Sequence, residues 1–270
     1  MRLASKTKFG GVVVVLVLLG WLFQQSDKGD TEQHVRTIEH FRQIKQLDAT
    51  LNQYVLQSRY DLLNNYDPIV QTQQQIDALL ADIERDTQLH FAAPESPLHG
   101  ALARYREAIK NKAESIEQFK SHNAVFKNSL HYFPIVVHAL LDSGQGDVQR
   151  GNLLHGLLDD VLLYSHSAVS QDKELISSRL AKILQQANGN RDELQSLSTH
   201  VGVILSHKDE IDEQMRQITS APTDVNGDEL FGVYNRQFMR ETAHAARYKQ
   251  MLALLALALV GYVTWAMARL

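Results

Sequence analysis

Between residues 101 and 133 the chain contains neither glycine nor proline. As a helix, those 33 residues form a rod of about 50 Å, longer than most small domains are wide. Phe119, Phe126, Leu130, Phe133 and Val137 recur on one face of it, which is the apolar stripe of a helix packed against others. Asn123 lies at the edge of that stripe and Lys120 and Lys127 flank it, while Ser121, Ala124 and Asn128 fall on the far side. A helix packed on both sides would therefore bury amides and hydroxyls, and buried amides need partners. Two readings follow: a bundle core with a few satisfied polar residues, or a polar site between helices of the kind bundles use for small ligands.

The rest of the chain repeats this texture. Residues 30–67 again lack glycine and proline, and Ile44, Leu47, Leu51, Val55 and Leu62 step by threes and fours. Arg59 falls on that stripe and Tyr66 continues it, so a guanidinium there must be paired, reach the surface along its stem, or meet a ligand. Asp67-Pro68 reads as a helix start with Asp67 as N-cap, and Ile69, Ile76, Leu79, Leu80 and Ile83 line the inner face that follows. A loop is expected over 91–96, after which Ser96-Pro97 opens the long rod. Pro134 is expected to kink or end it, and Gly144 and Gly146 close the segment. Further helices are expected over 147–168, 171–187, ending at Asn188-Gly189-Asn190, and 192–218, where Lys208 takes a stripe position. A last helix begins after Ala221-Pro222-Thr223-Asp224 and Gly227 and runs without glycine or proline over 233–260. Leu230, Tyr234, Phe238, Ala245, Tyr248 and Leu252 form its seam. Seven helices and no alternating strand pattern predict an all-α fold of two stacked helical bundles sharing long helices.

Both ends of the chain are apolar. Residues 9–26 are eighteen uncharged residues preceded by Arg2, Lys6 and Lys8, and residues 250–268 are nineteen more, followed by Arg269. Each length suits a transmembrane helix. The basic residues favour a cytoplasmic N-terminus of residues 1–8, and Gln24-Gln25-Ser26-Asp27 is a poor cleavage context, which favours an uncleaved anchor over a signal peptide. Residues 27–249 then form a periplasmic domain, and 269–270 return to the cytoplasm at a bacterial inner membrane. Absence of cysteine suits an oxidising compartment.

Catalysis has no foothold. No Gly-x-Ser-x-Gly, His-Glu-x-x-His or phosphate-cradling glycine loop occurs, and none of the twelve histidines is paired at i, i+4. Asp159-Asp160 reads as a solvated helix face. No metal or other cofactor is expected, and the basic residues are spread among acidic ones, which argues against nucleic acid. Only Arg269 and Leu270 follow the second span, so a signalling output is expected in a partner or in a longer parent chain rather than in these residues.

The segments Leu56-Gln57-Ser58-Arg59-Tyr60-Asp61-Leu62-Leu63-Asn64-Asn65-Tyr66-Asp67-Pro68 and Phe119-Lys120-Ser121-His122-Asn123-Ala124-Val125-Phe126-Lys127-Asn128-Ser129-Leu130 resemble the DAHL (double all-helical ligand-binding) sensor domains. The resemblance extends more weakly over most of the region between the spans, with Lys127 where the family more often has Arg. It implies a periplasmic sensor of a histidine kinase or related signalling protein. On that resemblance Arg59, Tyr66, Asp67, Lys120, Asn123, Asn128 and Ser129 are the candidate ligand-binding or signalling positions. A small ligand or a ligand-loaded binding protein is the expected partner, and the near-heptad helices suit a parallel homodimer. The rival reading is a helical adaptor that holds a periplasmic partner at the membrane.

Overall fold

The computed structural model describes residues 20, 31–90, 96–143, 147–166, 172–186 and 191–268. Among these the chain forms seven helices and no strand: α1 (Thr31–Arg59), α2 (Asp67–His90), α3 (Pro97–Ser143), α4 (Val148–His166), α5 (Asp172–Gln185), α6 (Arg191–Ser220) and α7 (Thr223–Ala268). The chain divides into two compact units. Unit 1 comprises Met1–Asp48, Gln74–Glu107 and Pro222–Leu270, and unit 2 comprises Ala49–Gln73 and Ala108–Ala221, so α1, α2 and α3 each contribute to both.

Unit 1 packs its parts of α1, α2 and α3 with α7 around Ile44, Ile76, Ile83, Leu98 and Leu230, each at most 3% exposed. Charged ties join α3 to its neighbours: Arg104 meets Glu229 at 2.7 Å and Arg106 pairs with Glu84. The His34 ring stacks on Phe238 with centroids 3.5 Å apart. In unit 2 most of the predicted stripe is buried, with Phe119, Phe126, Phe133 and Val137 all at most 1% exposed, whereas Leu130 is only half-buried. The helices α4, α5 and α6 complete the core of this unit with residues such as Leu157, Val161, Ile176 and Ile204.

Several expectations need correction. Helix α1 does not run on to Tyr66: it stops at Arg59, and Leu62, placed on the stripe by spacing, is 72% exposed. The stop is made without glycine. Asp61 adopts φ 62°, Leu62 N–H donates to the Gln57 carbonyl at 2.8 Å, and Asp61 N–H donates to the Ser58 carbonyl at 3.4 Å. This is a left-handed C-cap, and Asp is one of the few residues besides glycine that tolerates it. At the start of α2, Asn65 rather than Asp67 supplies the capping oxygen, its Oδ1 accepting from Asp67 N–H at 3.1 Å. Ser96 caps α3 as expected, with Leu98 N–H donating to its Oγ at 3.1 Å.

Pro134 does not end α3, which continues to Ser143. A proline inside a helix costs about 3 kcal/mol, and burial of Phe133, Val137 and Leu140 to 0% exposure on either side of it outweighs that. Likewise α7 starts at Thr223, ahead of the expected position, and takes Gly227 and Gly232 into its interior. Gly227 has a packing reason, since a Cβ there would lie 3.2 Å from Cε2 of Tyr105. Asp160 is not solvated either; it pairs with Arg179 Nε at 2.8 Å, and the guanidinium reaches it over Gly156, where a Cβ would clash.

Among the described residues no helix is long and apolar enough to cross a membrane. Apart from Gly20, the expected span at 9–26 lies outside the described residues, as do 1–8, 91–95, Gly144, Gly146, 167–171, 187–190 and 269–270. The helix of the expected second span is present to Ala268, and its described side chains run uncharged over 251–262.

Candidate functional site

The candidate positions converge, in part, on a polar core in unit 2. Arg59 is the last residue of α1 and its side chain is 9% exposed. Its Nη2 donates to the Ser165 carbonyl at 3.2 Å and lies 3.6 Å from the Asp212 carboxylate, with the guanidinium 5.0 Å from the Phe126 ring centroid. Ser165 is one residue from the end of α4, where carbonyls lack helical partners and the helix dipole is negative, so a cation is welcome there. From α6, Lys208 reaches the same carboxylate at 2.6 Å while its ammonium sits 4.9 Å from the Tyr164 ring centroid. Lys208 is 1% exposed.

A second carboxylate completes the network. Asp209 accepts from Tyr164 Oη at 3.3 Å and from Lys173 Nζ at 2.6 Å. The Lys173 hydrogen bond holds the Asp209 carboxyl below its usual range against the opposing effect of burial. Three cations thus share two carboxylates, which leaves the cluster one positive charge in excess. Isolated ions in such a setting would be costly; here each buried head has a carboxylate and an aromatic face.

Asn123 holds the other half of the core. It is 0% exposed and its amide nitrogen donates to the Ser58 carbonyl at 3.3 Å, to Ser58 Oγ at 3.4 Å and to Tyr66 Oη at 3.1 Å. The side chain is therefore a second donor to the Ser58 carbonyl, which Asp61 N–H also reaches at the end of α1, and it ties down the turn that carries Tyr66. Its Oδ1 is buried without a hydrogen-bond partner among the described residues.

The remaining positions divide. Ser129 is 5% exposed. Lys120 turns along its own helix to Glu117 at 2.7 Å, and Asp67 and Asn128 are exposed, so these three stand apart from the Arg59 cluster. Lys127, in contrast, pairs with Asp61 at 2.5 Å across the α1 cap. Sequence reasoning noticed Lys208 on its stripe but missed Asp212, although their spacing of four residues on one helix was the available signal. It also missed His122 and His207, whose Nδ1 atoms face each other at 2.8 Å between α3 and α6. Burial, then the neighbouring His122, hold the His207 imidazole below its usual pKa, with Glu210 opposing. No group of three or more metal-ligating side chains occurs among the described residues.

None of these residues lines a cavity of about 240 Å³ in unit 1. Its walls are Phe41, Tyr105 and Phe231, with Arg42, Lys45 and Asp48 from α1 and Thr223, Asp224, Gly227 and Asp228 from α7. Lys45 Nζ lies 2.8 Å from Asp224 and 3.1 Å from Asp228, and Thr223 Oγ1 donates to Asp48 at 2.9 Å. This site was not legible, because its aromatic walls and charges come from segments more than fifty residues apart.

Buried cations thus share a carboxylate in unit 2, and rings and charges wall a cavity in unit 1. No curated protein and no solved structure gives a match. The model of the DAHL domain matches residues 29–249, which takes in every described helix up to the last uncharged run of α7. The chain belongs to the DAHL domain family and is a helical sensor domain of signalling proteins.

Proposed function

We propose that this domain is the periplasmic input part of a bacterial signalling protein, anchored in the inner membrane, in which occupancy of unit 1 displaces α7 and the displacement is carried into the bilayer. One observation carries the reading. Helix α7 is unbroken for 46 residues, about 69 Å at the helical rise. Its first turns supply Asp224, Gly227, Asp228 and Phe231 to the cavity, and its far end presents Met251, Leu254, Leu257 and Val260 at 56–69% exposure. Apolar side chains so exposed along one helix end suit a lipid environment. With the six uncharged residues that follow 262 the run reaches the length a bilayer asks for. A stiff helix that begins at a ligand site and ends in lipid converts a small shift at one end into a shift at the other.

In this reading the N-terminal apolar block is the second anchor, the stimulus is a small ligand or a ligand-loaded binding protein, and the signalling output lies in the cytoplasm, in cis or in a partner, with the domain working as a homodimer. The Arg59 and Asn123 ties hold unit 2 in its packed state, and Arg59→Ala and Asn123→Ala are expected to weaken the response more than Asp159→Ala on the exposed face of α4. Topology is directly testable, because the chain has no cysteine. Single cysteines introduced at the exposed Ser121 and Asn128 should react with a membrane-impermeant maleimide in intact spheroplasts. Labelling only after lysis, or recovery of the protein in the soluble fraction, would overturn the proposal.

A further inference from the structure

We propose that the cavity of unit 1 binds an organic ammonium ion with a body about the size of one aromatic ring, an assignment that rests on the reading of unit 1 as the input site and names its ligand class. The lining carries three carboxylates, Asp48, Asp224 and Asp228, against two cations, Arg42 and Lys45, so a single positive charge completes the balance. The chain itself displays the recognition: Lys45 places a primary ammonium between Asp224 and Asp228 at 2.8 and 3.1 Å. All three side chains are more than half exposed, so this pair is held weakly and yields readily to a better-buried cation.

Aromatic faces supply the rest of a cation site. Phe41 meets Phe231 edge-on at 5.7 Å, and Tyr105 forms a third wall. Cations are attracted to such ring faces in addition to carboxylates. Tyr105 is 4% exposed, and its hydroxyl has no hydrogen-bond partner among the described residues although it faces the cavity. A phenol oxygen at the cavity wall is able to accept from a ligand N–H. Burial, then Asp48, Asp224 and Asp228, push the Tyr105 phenol well above its usual pKa, the mark of a negative potential at that wall. Size follows from volume: a protein cavity of about 150 Å³ accommodates benzene, and this one is about 240 Å³.

The test uses the full-length chain in detergent and three probes of one shape and different charge: benzylamine, benzyl alcohol and benzoate. Titration calorimetry should show saturable binding of benzylamine with no comparable binding of the other two. Asp224→Asn and Asp228→Asn should each weaken it about tenfold or more, the usual effect of losing a charge-assisted hydrogen bond. Lys45→Met should tighten it, because the competing ammonium is gone, and a gain of affinity cannot come from misfolding. Preference for benzoate, no saturable binding of benzylamine, or an affinity indifferent to all three substitutions would each overturn the assignment. Because binding is read without any signalling output, failure here is separable from failure of the topology experiment.

Discussion

Asp212 is the residue on which the polar core of unit 2 turns. It is the carboxylate nearest to two buried cations, Lys208 at 2.6 Å and Arg59 at 3.6 Å, whose side chains are 1% and 9% exposed. Asp212→Asn keeps the shape and removes the charge. Breaking a fully buried pair from one side costs about 3–5 kcal/mol. Asp212 is 31% exposed, so water recovers part of this, and a loss of about 2–3 kcal/mol is expected. Lys208→Met should cost less than about 1 kcal/mol, since Arg59 keeps its carboxylate and an apolar stem of similar length fills the space. In the double variant only Arg59 is left facing the amide, and it retains the Ser165 carbonyl. The cost of Asp212→Asn should then fall by about 1 kcal/mol or more. Urea unfolding followed by helical ellipticity measures all three, and the single Asn substitution should lower Tm by roughly 4–12 °C. If Asp212→Asn proves no worse than Lys208→Met, or if the two effects are strictly additive, the carboxylate is not shared between the two cations.

Three further outcomes are expected. His207 and His34 both have imidazoles held below the ordinary 6.5, each chiefly by burial, so the unfolded chain binds more protons than the folded one once pH drops under that value. Their stabilisation is complete above pH 6.5 and is lost on acidification through the folded-state values; thermal melts between pH 7.5 and 5 should show falling Tm, and His207→Gln should flatten the slope. At the α1 cap, Asp61→Gly should be neutral or stabilising by up to about 1 kcal/mol, because relief at positive φ offsets loss of an exposed ion pair. Asp61→Val should destabilise by about 1–2 kcal/mol in the same denaturation assay. Finally, Pro134→Ala should raise stability by about 1 kcal/mol or more by restoring an N–H to the α3 ladder, and no change in chemical unfolding would show that the helix has already absorbed the proline.

What could be read from the sequence was what repeats along one helix. The Phe119 to Val137 stripe, the Ser96 cap and the places of Arg59 and Lys208 on apolar faces depend only on the period of 3.6, and all are present in the fold. What escaped was set by tertiary contact. The end of α1 at Arg59 depends on an Asp in a left-handed conformation braced by Lys127 sixty-six residues on. Pro134 stays inside α3 because the flanking stripe is buried, which propensity alone does not weigh. His122 facing His207, and the ring of charges around the cavity, bring together residues with no sequence relation at all.

The buried charges of unit 2 are not explained by stability. A well-packed apolar set of the same volume generally does as well as a buried ion pair or better, and the neighbouring turns of α6 are apolar, with Ile204 and Ile211 at 0% exposure on either side of Lys208. Electrostatics instead gives that core a choice, since one carboxylate stands between two cations whose distances to it differ by about 1 Å. Asn123 adds a second unsettled group, a buried carbonyl oxygen with no donor among the described residues. A sensor needs two packings within a few kcal/mol of each other so that a modest binding energy can select between them. Both features break the burial rule locally, and a change of packing in unit 2 is the role we propose for them.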